Sequence, residues 1–263
     1  MQLRGKGRTA EIYNFEETKV LKLFYEWIQY SEVEMEYKIS DKIQKTSLPV
    51  PAVYKIERVN GRYGIVYEKI KGESMMYKMF SNIDNISEYI KIFAYLHSDI
   101  HRYKIKEIPS QIDYLRICIE TSDVLTNSER DNLLSKLKKM PIKNYLCHGD
   151  YHPDNIIITE NNPVIIDWLT ATSGDPAADI ARTILLISIS SPVDSEESLG
   201  IDEDSRKLLC KEYLNAYKER AQFEDESLYQ WIPFVAGARL NENIPQNEKT
   251  ELYKLARGKK FEL

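Results

Sequence analysis

The sequence His-Gly-Asp-Tyr-His-Pro-Asp-Asn occupies residues 148–155, and the apolar run Ile-Ile-Ile-Thr (156–159) follows it directly. A second apolar run, Val-Ile-Ile-Asp-Trp, occupies residues 164–168. The residues between them, Glu-Asn-Asn-Pro, are typical of turns, so the two runs are predicted to pair as a β-hairpin. A hairpin brings its two open ends together, which places Asn155 and Asp167 on neighbouring strands. Asp150 lies on the loop that leads into the first strand.

These three side chains offer two carboxylates and one amide oxygen. Hard oxygen ligands of this kind suit Mg²⁺ better than Zn²⁺. An Asp- or Asn-rich loop can also do no more than cap its own turns, and for any single residue that alternative is favoured. The apolar hairpin fixes the geometry of the whole set, so the sequence predicts a shared cation site.

Composition narrows the class of protein. The chain has 263 residues, 36 basic and 41 acidic side chains and a net charge of −5, so a surface that coats nucleic acid is not expected. No apolar stretch is long enough to span a bilayer, and residues 1–9 are polar and basic, unlike a secretory signal. Three separated cysteines without a Cys-x-x-Cys pattern fit neither a disulfide framework nor a zinc knuckle. We expect a reduced, cytoplasmic, monomeric protein with no nucleic-acid or membrane partner.

The first seventy residues are predicted to form strands with one helix. The strand-like runs are Glu11–Phe15, Lys19–Phe24, Ala52–Val59 and Tyr63–Ile70. The last two are joined by Asn-Gly at residues 60–61, a pair that supplies the positive φ angles of a tight hairpin turn.

The predicted helix lies between the second and third of these strands. Ser31 and Glu34 have the spacing of a capping box, and Met35, Ile39 and Ile43 form an apolar stripe at helical spacing. Prolines at residues 49 and 51 end this segment.

After residue 72 the pattern becomes mainly helical. Helices are predicted over Ile86–Leu96, Tyr114–Glu120, Ser128–Lys138 and Lys207–Arg220. The fold class is therefore α+β, with a small β-rich lobe over residues 1–70 and a larger helical lobe over 71–263. By count, residues 1–72 carry 13 basic and 10 acidic side chains, whereas the remainder carries 23 and 31.

The motif His-Gly-Asp-x-x-x-x-Asn followed by Ile-Asp-Trp resembles the catalytic and metal-binding loops of the aminoglycoside phosphotransferase and choline kinase-like family. These enzymes are small-molecule relatives of the protein kinases. The resemblance implies a protein-kinase-like two-lobe fold, with Asp150 as the catalytic base that orients the substrate hydroxyl. It also implies that Asn155 and Asp167 hold Mg²⁺ against the nucleotide phosphates and that His148 supports the loop. Residues 174–182 match a further family pattern, in which Asp179 buttresses the catalytic loop.

The same resemblance implies a nucleotide site in the first lobe. Gly5 and Gly7 would form a turn over the phosphates, although Gly-x-Gly near a terminus is a weak signal by itself. Lys22 lies in Val-Leu-Lys-Leu-Phe (20–24), and strand alternation places it on one face with the residues at 20 and 24. If Lys22 is buried, it needs an anionic partner such as nucleotide phosphates and a helix glutamate. The backbone groups of Glu68 and Ile70 would meet the adenine edge.

Two glutamates compete as the helix partner of Lys22. At about 100° per residue, both Glu32 and Glu36 fall near the apolar stripe, and periodicity does not choose between them. The spacing from Glu36 to residues 49–51 resembles that of the family's helix, so Glu36 is preferred and Glu32 is kept as the alternative.

The expected reaction is transfer of the terminal phosphate of ATP or GTP to a hydroxyl group. Only eight positions separate Asp167 from Asp175, which leaves no room for the long segment on which protein kinases dock peptides. A small acceptor is therefore expected, and the acidic second lobe favours an aminoglycoside, an amino alcohol or a sugar. The alternatives are an atypical protein kinase and a non-catalytic nucleotide-binding module, the latter usually marked by loss of the base, metal ligands or lysine.

Two further groups of residues carry weaker signals. His97 and His101 stand at i and i+4, a spacing that can bind zinc, but core or surface packing is favoured because no third ligand is apparent. Trp231, Phe234 and Arg239 could line an acceptor pocket, or equally belong to a helix that faces the core.

Overall fold

The structure is a computed structural model that describes residues 1–189 and 202–263. In chain order its strands and helices are β1 (Leu3–Lys6), β2 (Ala10–Glu16), β3 (Lys19–Phe24), α1 (Tyr30–Ile43), β4 (Val53–Val59), β5 (Arg62–Glu68), β6 (Glu73–Ser74), α2 (Met75–Ser81), α3 (Ile86–Ile100), α4 (Gln111–Glu120), α5 (Asn127–Leu137), β7 (Tyr145–Cys147), β8 (Ile156–Ile158), β9 (Val164–Ile165), β10 (Thr172–Gly174), α6 (Pro176–Ile189), α7 (Glu203–Lys218), α8 (Asp225–Arg239) and α9 (Gln246–Ala256). Among these helices, none combines the length and the apolar character needed to cross a bilayer.

The chain divides into two compact units. The first consists of residues 1–78 and 153–170, and the second of residues 79–152 and 171–263. The segment of the first unit at residues 153–170 contains the β8–β9 hairpin. The division of roles between residues 1–70, for nucleotide binding, and 71–263, for the acceptor, remains a prediction.

The first unit is built on an antiparallel sheet of five strands in the order β1-β2-β3-β5-β4. The predicted turn between β4 and β5 is confirmed, because Val59 pairs with Arg62 and the two residues between them have φ angles of 50° and 84°. Both positive angles are those that an Asn-Gly turn adopts most readily.

Side chains alternate across β3, as its sequence pattern predicts. Leu21 and Leu23 pack with Val66 in a core cluster on one face of the sheet. Phe24 belongs to the cluster on the other face, where Val33 of α1 packs. Strand alternation therefore places Lys22 on the α1 side of the sheet.

Helix α1 begins at Tyr30, and its N-terminal cap differs from the prediction. Ser31 and Glu34 do not form the capping box; instead the backbone N–H of Gln29 donates to the carboxylate of Glu32 at 2.9 Å. The N-cap is Gln29 and the helix starts two residues earlier than the Ser31 pattern implies, so every capping position moves by two. Glu32 is consequently engaged at the helix N-terminus.

The buried face of α1 also differs in part from the predicted stripe. Ile39 and Ile43 are buried, but the Met35 side chain is 43% exposed. Val33 and Glu36 are buried in its place. The buried face of α1 therefore runs through Val33, Glu36, Ile39 and Ile43, and it includes the charged side chain of Glu36.

The second unit consists mainly of packed helices. Helix α3 packs against α7, α6 packs against α8, and α8 also contacts α4 and α9. The four predicted helices are confirmed as α3, α4, α5 and α7. Three of them start earlier than predicted because upstream side chains cap them. Ser110 accepts from the N–H of Asp113, Thr126 from the N–H of Glu129, and Asp202 from the N–H of Ser205.

The predicted hairpin after residue 155 is confirmed. Strand β8 pairs antiparallel with β9, with Ile156 opposite Ile165, and β6 extends this small sheet on the other side of β8. The N–H of Ile166 donates to the carbonyl oxygen of Asn155 at 2.9 Å. That bond ties the start of β8 to the residue directly before Asp167.

Candidate active site

Lys22 lies between two carboxylates of the first unit. Its Nζ is 2.8 Å from Oε1 of Glu36 on α1 and 2.9 Å from Oδ1 of Asp167 after β9. The predicted pairing of Lys22 with Glu36 rather than with Glu32 is confirmed. The site thus joins the sheet, the helix and the hairpin through one ammonium group.

The surroundings of this group determine its charge. The Lys22 side chain is 11% exposed and that of Glu36 only 1%. Burial lowers the pKa of Lys22, but the nearby carboxylates of Asp167 and Glu36 raise it by more, so the pKa lies above its ordinary value. Lys22 therefore remains an ammonium ion at neutral pH, available to an anionic ligand.

Tyr67, at the end of β5, supports Glu36, and the sequence analysis missed it. The Tyr67 hydroxyl donates to Glu36 Oε1 at 3.0 Å and lies 3.1 Å from the hydroxyl of Ser40. Burial raises the pKa of Glu36, since a carboxylate loses hydration there. Two donors, the Lys22 ammonium and the Tyr67 hydroxyl, compensate in part for that loss.

Asn155 and Asp167 carry the oxygen atoms predicted to bind a cation. They lie at the two open ends of the β8–β9 hairpin, in the first unit. Asp167 has a φ of 62°, in the left-handed region that few residues other than glycine adopt. Its side chain is 43% exposed, whereas Asn155 is 8% exposed. A carboxylate and an amide oxygen on adjoining strand ends fit a hard divalent cation.

Asp150 belongs to the second unit, where two basic side chains flank its carboxylate. Nη2 of Arg182 lies 3.5 Å from Oδ1, and Nε2 of His152 lies 3.5 Å from Oδ2. Burial raises the pKa of Asp150, but the nearby His152 and Arg182 side chains lower it by more. The pKa of Asp150 therefore lies below its ordinary value. Asp150 is therefore a carboxylate at neutral pH, as a proton acceptor must be.

Asp179 of α6 hydrogen-bonds to the backbone of the loop that carries Asp150. The carboxylate of Asp179 accepts hydrogen bonds from the N–H groups of His148, at 2.6 Å, and Gly149, at 2.8 Å. Gly149 has a φ of 77°, which glycine adopts without strain. The buttressing role that the resemblance implies for Asp179 is confirmed as a contact.

His97 and His101 also contact Asp179, which the sequence analysis did not connect with them. Nε2 of each histidine lies 3.0 and 3.2 Å from Asp179 Oδ2, and their Nδ1 atoms face the hydroxyls of Tyr213, at 2.6 Å, and Tyr217, at 2.8 Å. The Asp179 carboxylate oxygen is thus a third potential ligand atom, and these three atoms lie within 4.8 Å of one another. Every ring nitrogen already has a hydrogen-bond partner, so the core-packing interpretation is the one that the geometry supports.

The remaining predicted nucleotide residues lie along the first sheet. Gly5 is in β1, and Gly7 begins the turn to β2, where its N–H donates to the carbonyl of Ala10 at 2.8 Å. Glu68 ends β5, and Ile70 follows it by two residues. The N–H of Glu68 donates to the carbonyl of Ala52, directly before β4, at 2.8 Å, so that N–H already has a backbone partner.

The residues considered for an acceptor pocket on α8 lie in the core. Trp231, Phe234 and Arg239 are 1%, 4% and 1% exposed, which confirms the alternative of a core-facing helix. Arg182 and Glu242 near Asp150 were missed. They are 60 positions apart, and no local pattern joins them.

Comparison with known proteins places this chain in a family. Residues 3–231 match the sequence model described as "Phosphotransferase enzyme family". No curated protein matches the chain significantly.

Several solved structures share the fold. One is the amicoumacin kinase hAmiN in complex with AMP-PNP, Ca²⁺ and Ami, at 14% identity and a TM-score of 0.64, covering 97% of this chain and 87% of that one. A second is a choline/ethanolamine kinase family protein from Mesorhizobium loti, at 14% identity and 0.60, covering 98% and 80%. A third is the aminoglycoside phosphotransferase APH(3'')-Id from Streptomyces rimosus with ADP and streptomycin, at 16% identity and 0.58, covering 86% and 88%. The protein-kinase-like fold class is thereby confirmed.

Proposed function

The chain belongs to the phosphotransferase enzyme family, and from that premise we propose that it moves the terminal phosphate of ATP or GTP to a hydroxyl group of a small molecule. It is a phosphotransferase of the small-molecule kinase type. The observation that carries the proposal is the position of the Lys22 ammonium between Glu36, at 2.8 Å, and Asp167, at 2.9 Å. A protonated, nearly buried lysine beside a carboxylate of a cation site is suited to bind nucleotide phosphates.

In this proposal each residue has one task. Lys22 binds the phosphates, and Glu36 holds Lys22 in place. The backbone at Gly5 and Gly7 covers the phosphates, and the backbone at Glu68 and Ile70 contacts the base, as the family resemblance implies.

The cation site belongs to the same proposal. Asn155 and Asp167 would hold Mg²⁺, which when bound neutralises negative charge on the phosphates. Their oxygen chemistry supports a hard cation, and the solved structure with AMP-PNP and Ca²⁺ is consistent with a nucleotide and a divalent ion.

Asp150 acts on the acceptor. The acceptor oxygen forms a bond to the terminal phosphorus, the bond from that phosphorus to the nucleoside diphosphate breaks, and the hydroxyl proton passes to the Asp150 carboxylate. Little covalent chemistry is asked of the protein, so positioning and charge stabilisation supply most of the rate enhancement.

The acceptor class rests on charge. Residues 73–263 carry 23 basic and 31 acidic side chains, an excess that favours a cationic or polyhydroxylated acceptor. We propose an aminoglycoside, an amino alcohol or a sugar.

The experiment is a coupled assay of nucleoside diphosphate release with ATP or GTP against aminoglycosides, amino alcohols, vitamins and sugars. Release that depends on one acceptor class, with phosphate found on that acceptor, is the expected result. Phosphate incorporated only into protein would favour the atypical protein kinase instead. Nucleotide binding without turnover on any acceptor would favour the non-catalytic module.

Asp167→Ala tests the cation site. Removing this carboxylate should abolish Mg²⁺-dependent turnover, because a proposed metal ligand is lost. Glu160→Ala, in the exposed turn of the same hairpin, is the matched control and should retain wild-type turnover. Unchanged turnover of the Asp167→Ala protein would refute the assignment.

A further inference from the structure

A row of charged side chains leads from Asp150 to the last two helices. Nη2 of Arg182 lies 3.5 Å from Asp150 Oδ1, and Nη1 of the same guanidinium donates to Glu242 Oε1 at 2.6 Å. The other oxygen of Glu242 lies 3.3 Å from Nε of Arg239, and Arg239 in turn contacts Glu248 of α9 at 3.3 Å. All five residues belong to the second unit.

The side chains of this row are largely buried, unlike those of a surface ion pair. The Arg182 side chain is 13% exposed, that of Glu242 20% and that of Arg239 1%. Charges removed from water are stabilised only when a partner is held in good geometry. Glu242 supplies that partner for Arg182, and Arg239 restrains Glu242.

The shape of the guanidinium determines what this restraint does. Its N–H groups form a planar, rigid fork, so a bond at Nη1 also fixes the direction of Nη2. Anchoring Nη1 on Glu242 therefore orients Nη2 toward Asp150. A lysine at position 182 has one ammonium whose donors rotate freely, so a contact with Glu242 would not fix the direction of a second donor toward Asp150.

The residues that anchor Arg182 follow the part of the chain that matches the family's sequence model. The match ends at residue 231, whereas Arg239, Glu242 and Glu248 follow it. The match to the family's sequence model therefore does not include the residues through which the C-terminal segment contacts Arg182.

We propose that Arg182 is a positioning residue for Asp150 and that Glu242 holds Arg182 in the orientation this requires. The inference rests on the proposed function, in which the Asp150 carboxylate accepts the acceptor proton. Arg182 fixes Oδ1, so that the carboxylate keeps one orientation toward the hydroxyl. The C-terminal segment thereby contributes to catalysis without touching the substrate.

The test uses Arg182→Lys and Glu242→Gln in the full chain, with Arg116→Lys as the control. Arg116 pairs with Glu120 at 2.7 Å on α4, with both side chains about two-fifths exposed. We expect Arg182→Lys to lower kcat by about tenfold to a hundredfold, the range for a misplaced catalytic group, with the nucleotide KM within about twofold of wild type. Glu242→Gln should shift kcat in the same direction by a smaller factor, and Arg116→Lys should leave both constants unchanged.

The same substitutions in an Asp150→Asn background separate positioning from general structural damage. Transfer of labelled phosphate detects the slow residual turnover of that variant. If Arg182 acts through Asp150, neither Arg182→Lys nor Glu242→Gln lowers kcat further there. Losses of the same factor in both backgrounds, or a rise in nucleotide KM with kcat unchanged, would overturn the inference.

Two outcomes distinguish failure of this inference from failure of the proposed function. A wild-type protein that phosphorylates no acceptor overturns both, whereas wild-type turnover with equal losses in the two backgrounds overturns this inference alone. If Arg182→Lys does not fold, the nearly isosteric Glu242→Gln decides by the same comparison.

Discussion

The Lys22 ammonium illustrates how single residues are held in this protein. Glu36 approaches it from α1 and Asp167 from the β8–β9 hairpin, 145 positions later in the chain. Glu36 is itself buried, and its contacts with Lys22 and the Tyr67 hydroxyl keep it in place. Binding of an anionic ligand by Lys22 depends on this arrangement. Loss of one of these hydrogen bonds should therefore lower the affinity for nucleotide measurably.

Tyr67→Phe removes only the hydroxyl that donates to Glu36 and contacts Ser40. A hydrogen bond of this type contributes about 1 kcal/mol, so nucleotide binding should weaken by about threefold to tenfold. Titration with ATP and GTP measures the change. The exposed Tyr77, replaced by Phe, is the control. Equal affinities of the Tyr67→Phe and wild-type proteins would show that the hydroxyl does not support the lysine site.

At the scale of elements, the β8–β9 hairpin depends on close contact with the segment before β6. Gly72 has no side chain, and a Cβ at this position would press against the carbonyl oxygen of Ile158 and the side chain of Ile157. Strand β6 pairs with β8 through Ser74 and Ile157. A glycine is therefore required where the chain passes the strand that leads from Asn155.

Gly72→Ala should accordingly destabilise the protein by about 1–3 kcal/mol, the usual cost of forcing a methyl group into packed structure. Urea unfolding followed by circular dichroism gives this free energy. Gly5→Ala is the control for stability, because a Cβ there meets nothing within 4 Å. Wild-type stability of the Gly72→Ala protein would contradict the close approach.

At the scale of the whole molecule, the second unit carries titratable groups inside its core. His97 is fully buried, and burial together with His101 lowers its pKa to about 3, although Asp179 acts in the opposite direction. The hydrogen bonds of Asp179 connect this core to the loop of Asp150. Stability and the geometry of the candidate base are therefore linked.

Acidification should weaken the fold between about pH 6.5 and pH 3. In the unfolded chain His97 binds a proton near pH 6.5, whereas in the folded protein it does so only near pH 3. Over that interval the unfolded state holds more protons, so the free energy of unfolding falls as the pH falls, by up to about 1.4 kcal/mol per pH unit from this group. Above pH 6.5 the histidine is neutral in both states and contributes no slope.

His97→Gln should lower the free energy of unfolding at pH 7 and also flatten its dependence on pH below 6.5. Urea titrations at pH 4.5, 5.5, 6.5 and 7.5 measure the two slopes. An unaltered slope in the variant would mean that His97 is not the group responsible.

Several features followed from the sequence alone. Strand alternation placed Lys22 on the helix side of β3, the Asn-Gly pair located the β4–β5 turn, and the two apolar runs after residue 155 predicted the hairpin. Such features depend on neighbours within a few residues, where covalent geometry and side-chain period leave few choices. Family motifs added the candidate roles of the residues around position 150.

Tertiary structure decided what local patterns leave open. Periodicity allowed Glu32 or Glu36 as the partner of Lys22. In the folded chain Glu36 contacts Lys22 across the fold, whereas Glu32 accepts from the N–H of Gln29 at the helix N-terminus. The contacts of Tyr67 with Glu36 and of Glu242 with Arg182 join distant segments, so packing alone brings them together. Chain period fixes the face on which a residue lies, whereas partners across the fold depend on how whole elements pack.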